Sequence, residues 1–382
     1  MAKKPTPSML LTIQRATLQR VLDVAAQVSP ANGTTPIIGY VLLTATGEKL
    51  HAVATDMDAE IQVAVMAEVK TAGACTVPAK LFAQLISRSS AEQVTLSLDD
   101  AAGRLSVFIG RARAQLPTLP VEDFPVWTSG DFDNQFDLDG DVMSKLLGRV
   151  EHAVSSEDTR YYLQGVFLHA GRGDLDQSLV AVATDGHRLI RAATLLPGGA
   201  EGLEGAIIPH PTVKRIRKLF AEGDVEVEVS ATMIRISSSG PAGDMVLTSK
   251  LIDGTYPEYE RIIPSGDGNA IEVGRTETQS ALRRSLAFAD GATRCVKLVM
   301  APELLTIATS NPETGELVED VDAGEWSGAQ EEIGVNASYL SDAIEALGGV
   351  RSRLIVEDPN SPIIIRNPHD PDTLAVLMPV RI

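Results

Sequence analysis

The sequence holds only two cysteines in 382 residues, Cys75 and Cys295, and neither belongs to a CxxC pair or neighbours a histidine. A disulfide framework or zinc site is therefore not expected, and a reducing cytoplasm is. Aromatics are only 4%, and Gly and Pro are near average, which excludes collagen-like and low-complexity chains. No run of 18 apolar residues occurs, so no membrane helix is expected. The opening MAKKPTPS is followed by an apolar run, 9–13, too short for a signal peptide, and 1–8 reads as a loose tail. There is no GxxxxGK[ST] phosphate loop, so any ATP-driven step belongs to another protein. Basic residues are in the minority, 33 Lys and Arg against 51 Asp and Glu, for a net charge of −18. Such a chain is repelled by DNA phosphate unless its basic groups gather on one surface. Thr184-Asp185-Gly186-His187 brings an acid and a histidine together but lacks further ligands at short spacing. No metal, cofactor or catalytic residue is expected from it.

What the chain does have is an internal repeat. HAVATDMDAEIQVAV (51–65) returns as VAVATDGHRLIRAAT (180–194) and more faintly as LTIATSNPETGEL (305–317). A second element moves in step with it: ACTVPAKLFAQLI (74–86), GAIIPHPTVKRIRKLF (205–220) and EEIGVNASYLSDAIEAL (331–347). Two elements shifting by nearly equal offsets indicate three copies of one domain. Helical spacing of apolar residues predicts helices over 12–29, 78–88, 140–155, 209–222, 276–290 and 336–347, two per copy, the second of each pair starting at a Pro or a capping Asn. Alternating segments at 94–100, 104–110, 225–230, 233–238, 353–358 and 362–367 read as strands. The fold class is α+β: three repeated domains, each with two helices and antiparallel sheets, at 9–129, 130–257 and 258–382.

The six helices carry 12 basic and 8 acidic residues, leaving 21 against 43 elsewhere, so they form a positive island in an acidic chain. Lys214, Arg215, Arg217 and Lys218 are its densest part; Arg15, Arg20, Lys80, Arg88, Lys145, Arg149, Arg283 and Arg284 supply the rest. If equivalent helices occupy equivalent places, their charge converges on one surface; the last helix, with Asp342 and Glu345 and no base, departs from the pattern.

TRYYLQG (159–165), AVATDGHRL (181–189), LTSKLIDGTYPEYERIIP (247–264), TSNPE (309–313) and the terminal LMPVRI (377–382) together resemble the β sliding clamp of bacterial DNA polymerase III, in the family's order and over nearly the whole chain from Met9. The resemblance implies a non-enzymatic sliding clamp: a head-to-tail homodimeric ring of six domains, helices lining the hole, encircling double-stranded DNA without sequence preference. It also implies partners: DNA polymerase III, a clamp-loader complex and other proteins carrying a clamp-binding motif, with no membrane. Weak, water-mediated contact suits sliding.

Carried over by position, the family's partner-peptide cleft implies Leu163, Thr184, Gly186, His187, Arg188, Leu189, Pro257, Arg261, Ile262, Val376, Met378, Pro379, Val380, Arg381 and Ile382, with aliphatic walls and arginine heads at the rim for peptides bearing Gln and bulky apolar residues. Val380 and Ile382 stand where the family commonly has Met and Leu, which implies an altered wall. Tyr161 and Tyr162 match the family's tyrosine pair facing DNA, and Lys80 a basic position there. The family's arginine is missing from 31–35, and Glu157 replaces a neutral amide, implying weaker direct DNA contact. For the subunit interface the resemblance implies Arg111 and Arg113 on one edge, Glu313, Glu316 and Glu319 on the other, and Leu116 and Phe288 at an apolar centre, with Ala114 replacing an aromatic. Two other classes stay open from the residues: an enzyme using the cleft, and a clamp-like accessory scaffold with weak or no DNA loading.

Overall fold

Every helix expected from apolar spacing forms: α1 Arg15–Val28, α2 Ala79–Ser87, α3 Gly140–Val150, α4 His210–Leu219, α5 Arg275–Ser285 and α6 Ala337–Leu347. The structure, a computed structural model, describes residues 8–381 except 31–34, 100–102, 128–129, 241–242, 267, 290–293, 314 and 327. The expected tail, apart from Ser8, and the C-terminal Ile382 thus lie outside the described residues, as do 31–34 of the loop expected to lack an arginine.

Helix α1 buries Leu18, Val21, Leu22, Ala25 and Val28, one stripe at 3.6-residue spacing, and stops at Ser29 before Pro30. Its expected start at residue 12 is corrected. Thr12–Gln14 end the strand Met9–Gln14, where burial alternates with period two, and Thr12 Oγ1 lies 3.2 Å from Thr95 Oγ1 across the ladder. In α6 the cap is as expected, Asn336 Oδ1 accepting from the backbone N–H of Ser338 and Tyr339. Pro78 occupies the N-cap position of α2, one place earlier than the first helical position expected of it.

The chain forms two compact units, one from residues up to Asp141 with Lys214–Leu251, the other from Val142–Val213 with Ile252 onward. The first unit holds an eight-stranded sheet in the order Asn134–Asp139, Asp224–Val229, Met233–Gly240, Gly243–Lys250, Ala59–Met66, Lys49–Thr55, Tyr40–Thr46, Gly73–Pro78. Its second sheet runs Glu68–Thr71, Met9–Gln14, Gln93–Asp99, Arg104–Ile109, Ala112–Pro117. The second unit has eight strands in the order Ala206–Pro209, Gly165–Ala170, Ser178–Thr184, Arg188–Leu195, Asp370–Leu377, Ile363–Asn367, Arg351–Val356, Asn269–Gly274. It also has four in the order Gly315–Asp322, Leu304–Asn311, Cys295–Ala301, Glu331–Asn336. Strands of the middle repeat are shared out: Gly243–Lys250 pairs with Ala59–Met66, and Arg188–Leu195 with Asp370–Leu377. Each eight-stranded sheet is thereby continuous across two repeats, and the contact units cut across the sequence repeat. Helix α1 packs on α2, and α5 on α6.

The repeated Ala-Thr-Asp is a repeated hairpin turn. Thr55 Oγ1 donates to Ala59 O at 2.7 Å and Thr184 Oγ1 to Arg188 O at 2.6 Å. Asp56 accepts from the N–H of Asp58 and Ala59 as Asp185 does from His187 and Arg188. Both turns pass through positive φ, at Met57 (78°) and Gly186 (88°). Gly186 is needed for a second reason: a Cβ there would lie 2.3 Å from Arg160 Nη1, which donates to Asp185 O.

Candidate partner-binding cleft and charged surfaces

Period-two alternation puts Leu189 and Val376, paired across adjacent strands, on one face of the second unit's large sheet. They are buried in a cluster with Leu163, Val180, Val182, Leu374, Tyr256 and Tyr259. The segment after Leu251 lies on this face: Tyr256 stacks on Phe167 with ring centroids 4.7 Å apart, and Ile263 packs on the cluster. Of the residues expected at the cleft, Leu163, Thr184, Leu189 and Val376 are buried, and Gly186, His187, Pro257, Arg261 and Ile262 are exposed. Met378 is 46% exposed and its N–H donates to His187 O at 2.9 Å, while Val380 N–H donates to Gly334 O at 2.8 Å. The terminal segment is therefore tied to the turn that carries Gly186 and His187. Pro379 and Val380 are half-buried and Arg381 is exposed. Sequence reasoning missed Tyr256 and Tyr259 as walls, although both stand in the quoted TYPEYERIIP segment.

Arg188 is a correction. Its head does not stand at the rim: the side chain is 9% exposed and fully engaged within the fold. It donates to Asp185 Oδ2 at 3.1 Å, to Asp342 Oδ2 at 2.7 Å and to His152 O, and stacks 4.2 Å from the Tyr339 ring centroid. A planar fork with five donors suits such a junction. Both oxygens of Asp185 are occupied by this turn and by Arg188, which leaves the Thr184–His187 run without a free acid.

The turn at Thr55–Ala59 gives the first unit an equivalent position, but Glu60 replaces Leu189 there. Glu60 is 2% exposed, and its carboxylate accepts from Trp127 N–H at 3.1 Å and Gln62 Nε2 at 2.7 Å. That surface is polar where the second unit's is apolar, a difference visible in the aligned repeats as Glu against Leu.

His169 lies under the same connecting segment. Its Nδ1 donates to Ala170 O at 2.7 Å, so Nε2 is the acceptor for the Tyr259 hydroxyl at 2.9 Å. Burial pulls the His169 pKa below its usual 6.5, and burial followed by the nearby Glu260 pushes the Tyr259 hydroxyl upward. The unfolded chain then binds a proton that the folded chain refuses, so stability falls as pH drops below 6.5 towards the lowered folded value. Chemical denaturation between pH 7.5 and 5.5 is expected to show a steeper loss for the parent than for His169→Gln, by up to about 1.4 kcal/mol per pH unit. Parallel curves would show that His169 does not titrate on unfolding.

The residues expected at DNA divide into two groups. Arg20, Lys80, Lys145, Lys214, Lys218 and Arg283 are exposed, Arg15 and Arg217 partly so. Tyr161 is 53% exposed, its ring edge-on to Tyr162 at 5.7 Å, and Tyr162 packs on the apolar cluster. Three arginines are committed elsewhere, which corrects the picture of freely projecting charge. Arg215 pairs with Asp56 at 2.6 Å and touches Gln27 O, Arg149 pairs with Asp370 at 3.0 Å, and Arg284 binds Glu319 through two donors. Arg284 holds the Glu319 carboxyl below the usual range, so neither is a free charge. Glu157 pairs with Arg160 at 2.8 Å.

The strand Ala112–Pro117 is the outermost of its sheet, with Arg111 and Arg113 exposed; Gly315–Asp322 is the outermost of another, with Glu316 exposed and Glu313 exposed just before it. Leu116, expected at the apolar centre, is 4% exposed and lies inside its own sheet opposite Leu105. The exposed apolar groups are Phe108, with Arg113 over its ring, and Val318. Phe288 is half-buried. Among the described residues no three His, Cys, Asp or Glu are grouped to hold a metal, and no helix is long and apolar enough to cross a membrane.

Repeated α+β domains that share strands in continuous sheets define the processivity-clamp architecture. Models of the N-terminal, central and C-terminal domains of the DNA polymerase III beta subunit match residues 9–128, 137–258 and 260–381. The chain is 35% identical to the beta sliding clamp of Caulobacter vibrioides and 32% to that of Pseudomonas aeruginosa, each over 98% of this chain and all of the relative. A sliding clamp from Bartonella birtlesii bound to griselimycin superposes with a TM-score of 0.92 at 34% identity, and one from Caulobacter crescentus with 0.91 at 34%, each over 98% of this chain and 100% of the other. The chain belongs to the DNA polymerase III beta subunit family, the bacterial sliding clamps, which are non-catalytic processivity factors of DNA replication.

Proposed function

We propose that two copies of the chain close head to tail into a ring around duplex DNA in the cytoplasm, and that the cleft at Leu163, Leu189, Val376 and Met378 holds short segments of DNA polymerase III, the clamp loader and other DNA-processing proteins. The observation that carries this reading is the run of three clamp-domain matches across residues 9–381, with relatives matched over their whole length. The open strand edges support it: one presents Arg111 and Arg113, the other Glu313 and Glu316, and opposite charge on unlike edges favours head-to-tail pairing while hiding both from strand-to-strand aggregation. Phe108 and Val318 supply exposed apolar area on the same strands or their neighbours.

The exposed bases act on DNA collectively, each phosphate contact being modest and screened by salt. Because Arg215, Arg149 and Arg284 are paired internally, the charges to reverse are Arg20, Lys80, Lys214 and Lys218. Protein loaded on nicked circular DNA is expected to stay bound and to run off once the DNA is linearised. The fourfold reversal should leave circular DNA at lower salt than the parent. Equal retention on circular and linear DNA would overturn encirclement.

A further inference from the structure

The face that carries the cleft has a second feature one rung away. Across the paired strands, Val182, Arg191, Leu374, Arg366 and Arg353 occupy one rung, so two arginines flank a single leucine. The neighbouring rung on the same face is Leu189, Val376 and Ile364, the floor of the cleft, two residues and about 7 Å along the strands. Arg191 and Arg366 are both half-buried, and among the described residues the Nε of each is buried without a hydrogen-bond partner. By contrast, Arg149, Arg160, Arg188 and Arg275 in this unit each have a carboxylate within 3.1 Å. The charged groups around Arg191 are Arg366, Glu260 and Asp372, with the Tyr259 hydroxyl alongside; burial holds its guanidinium below the usual value, and Arg366 adds to the shift.

A buried cationic donor without an acceptor is costly, and two on one rung repel each other. Glu260 and Asp372 offset part of that repulsion without hydrogen-bonding the Arg191 Nε, and an anion with two acceptor oxygens offsets the rest. Leu374, between the arginines, belongs to the same apolar cluster as the cleft floor, so the ligand that fits has apolar parts and a carboxylate in one molecule. We infer that Arg191 and Arg366 form a carboxylate subsite that extends the cleft and takes an aspartate or glutamate side chain of the partner peptide, beside its apolar anchors. The inference rests on reading the cleft as the peptide site. Arginine forks bind carboxylates through paired, charge-assisted hydrogen bonds, which sets acidic peptides apart from neutral ones of the same shape.

The test uses pairs of peptides with identical Gln and bulky apolar anchors, differing only in Glu or Gln at one flanking position, with that position walked along the peptide. Fluorescence anisotropy with the full chain is expected to show one position where the Glu peptide binds about tenfold tighter, ~1.4 kcal/mol, and the gap should narrow as salt rises. In Arg191→Gln/Arg366→Gln the affinity for the Glu peptide should fall to that for the Gln peptide. Equal binding of both peptides at every position, or a gap that survives the double substitution, overturns the subsite while leaving the cleft standing. Binding of neither peptide by the parent overturns the cleft reading and the subsite with it. Independently of any peptide, Arg366→Met removes the repulsion with Arg191 and is expected to raise the melting temperature by roughly 1–2 °C; a lower melting temperature would show that the arginine is satisfied within the fold and overturn the subsite.

Discussion

Arg188→Ala is expected to cost about 3–5 kcal/mol of stability, the range for breaking a buried ion pair by removing one partner. The substitution strands Asp185 with a half-satisfied turn, removes the link to Asp342 on α6 and leaves His152 O without its donor. It also takes away the cation stacked on Tyr339. Three segments distant in sequence meet at this one guanidinium, so the loss spreads across the second unit. Arg188→Lys should recover little of it, because an ammonium cannot reproduce the planar fork or the stacking. Asp342→Asn, at a partner whose side chain is 44% exposed, should cost less than either. Urea denaturation of the three variants measures this; a loss under 1 kcal/mol for Arg188→Ala would mean that the network relaxes around the gap.

Deleting 378–382 is expected to weaken binding of a peptide bearing Gln and bulky apolar residues by 100-fold or more, about 2.8 kcal/mol, and to leave the chain folded. Met378 is a large exposed apolar group of the segment and an adaptable one, and a few such anchors carry most of the affinity in a small groove. Among the described residues the fold loses two backbone hydrogen bonds, from Met378 to His187 O and from Val380 to Gly334 O, a modest cost of about 0.5–1.5 kcal/mol each. Calorimetric titration and thermal melting of the same preparation separate the two effects. Unchanged peptide affinity would remove the terminal segment from the cleft.

The two halves of the large sheets explain why one cleft differs from its counterpart. Glu60 and Leu189 occupy the same place in the repeated turn, yet the first is held by Trp127 N–H and Gln62 and the second floors an apolar cluster. A buried, hydrogen-bonded carboxylate offers no seat for a bulky apolar residue, since burying it against hydrocarbon would strip those bonds.

Local regularities were legible in the sequence because they are set by local physics. Six helices follow from 3.6-residue spacing, their caps from Asn336 and the Ser29-Pro30 stop, and the strands from period two, and the repeat appears because each copy reuses one hairpin turn. The start of α1 was not legible, since Thr12–Gln14 are compatible with either period until the ladder to Gln93–Asp99 decides. Charge was the least legible property. Composition counts Arg149, Arg215 and Arg284 with the other bases of the helices, and only tertiary packing brings Asp370, Asp56 and Glu319 to them. The same holds for Arg188, whose partner Asp342 is 154 residues away, and for Arg191 and Arg366, which share a rung only because the last strand of the chain pairs between theirs. Sequence spacing determines which face a residue takes on its own element; which charges meet is decided by strand order, and that is settled by burial of the whole sheet rather than by any segment within it.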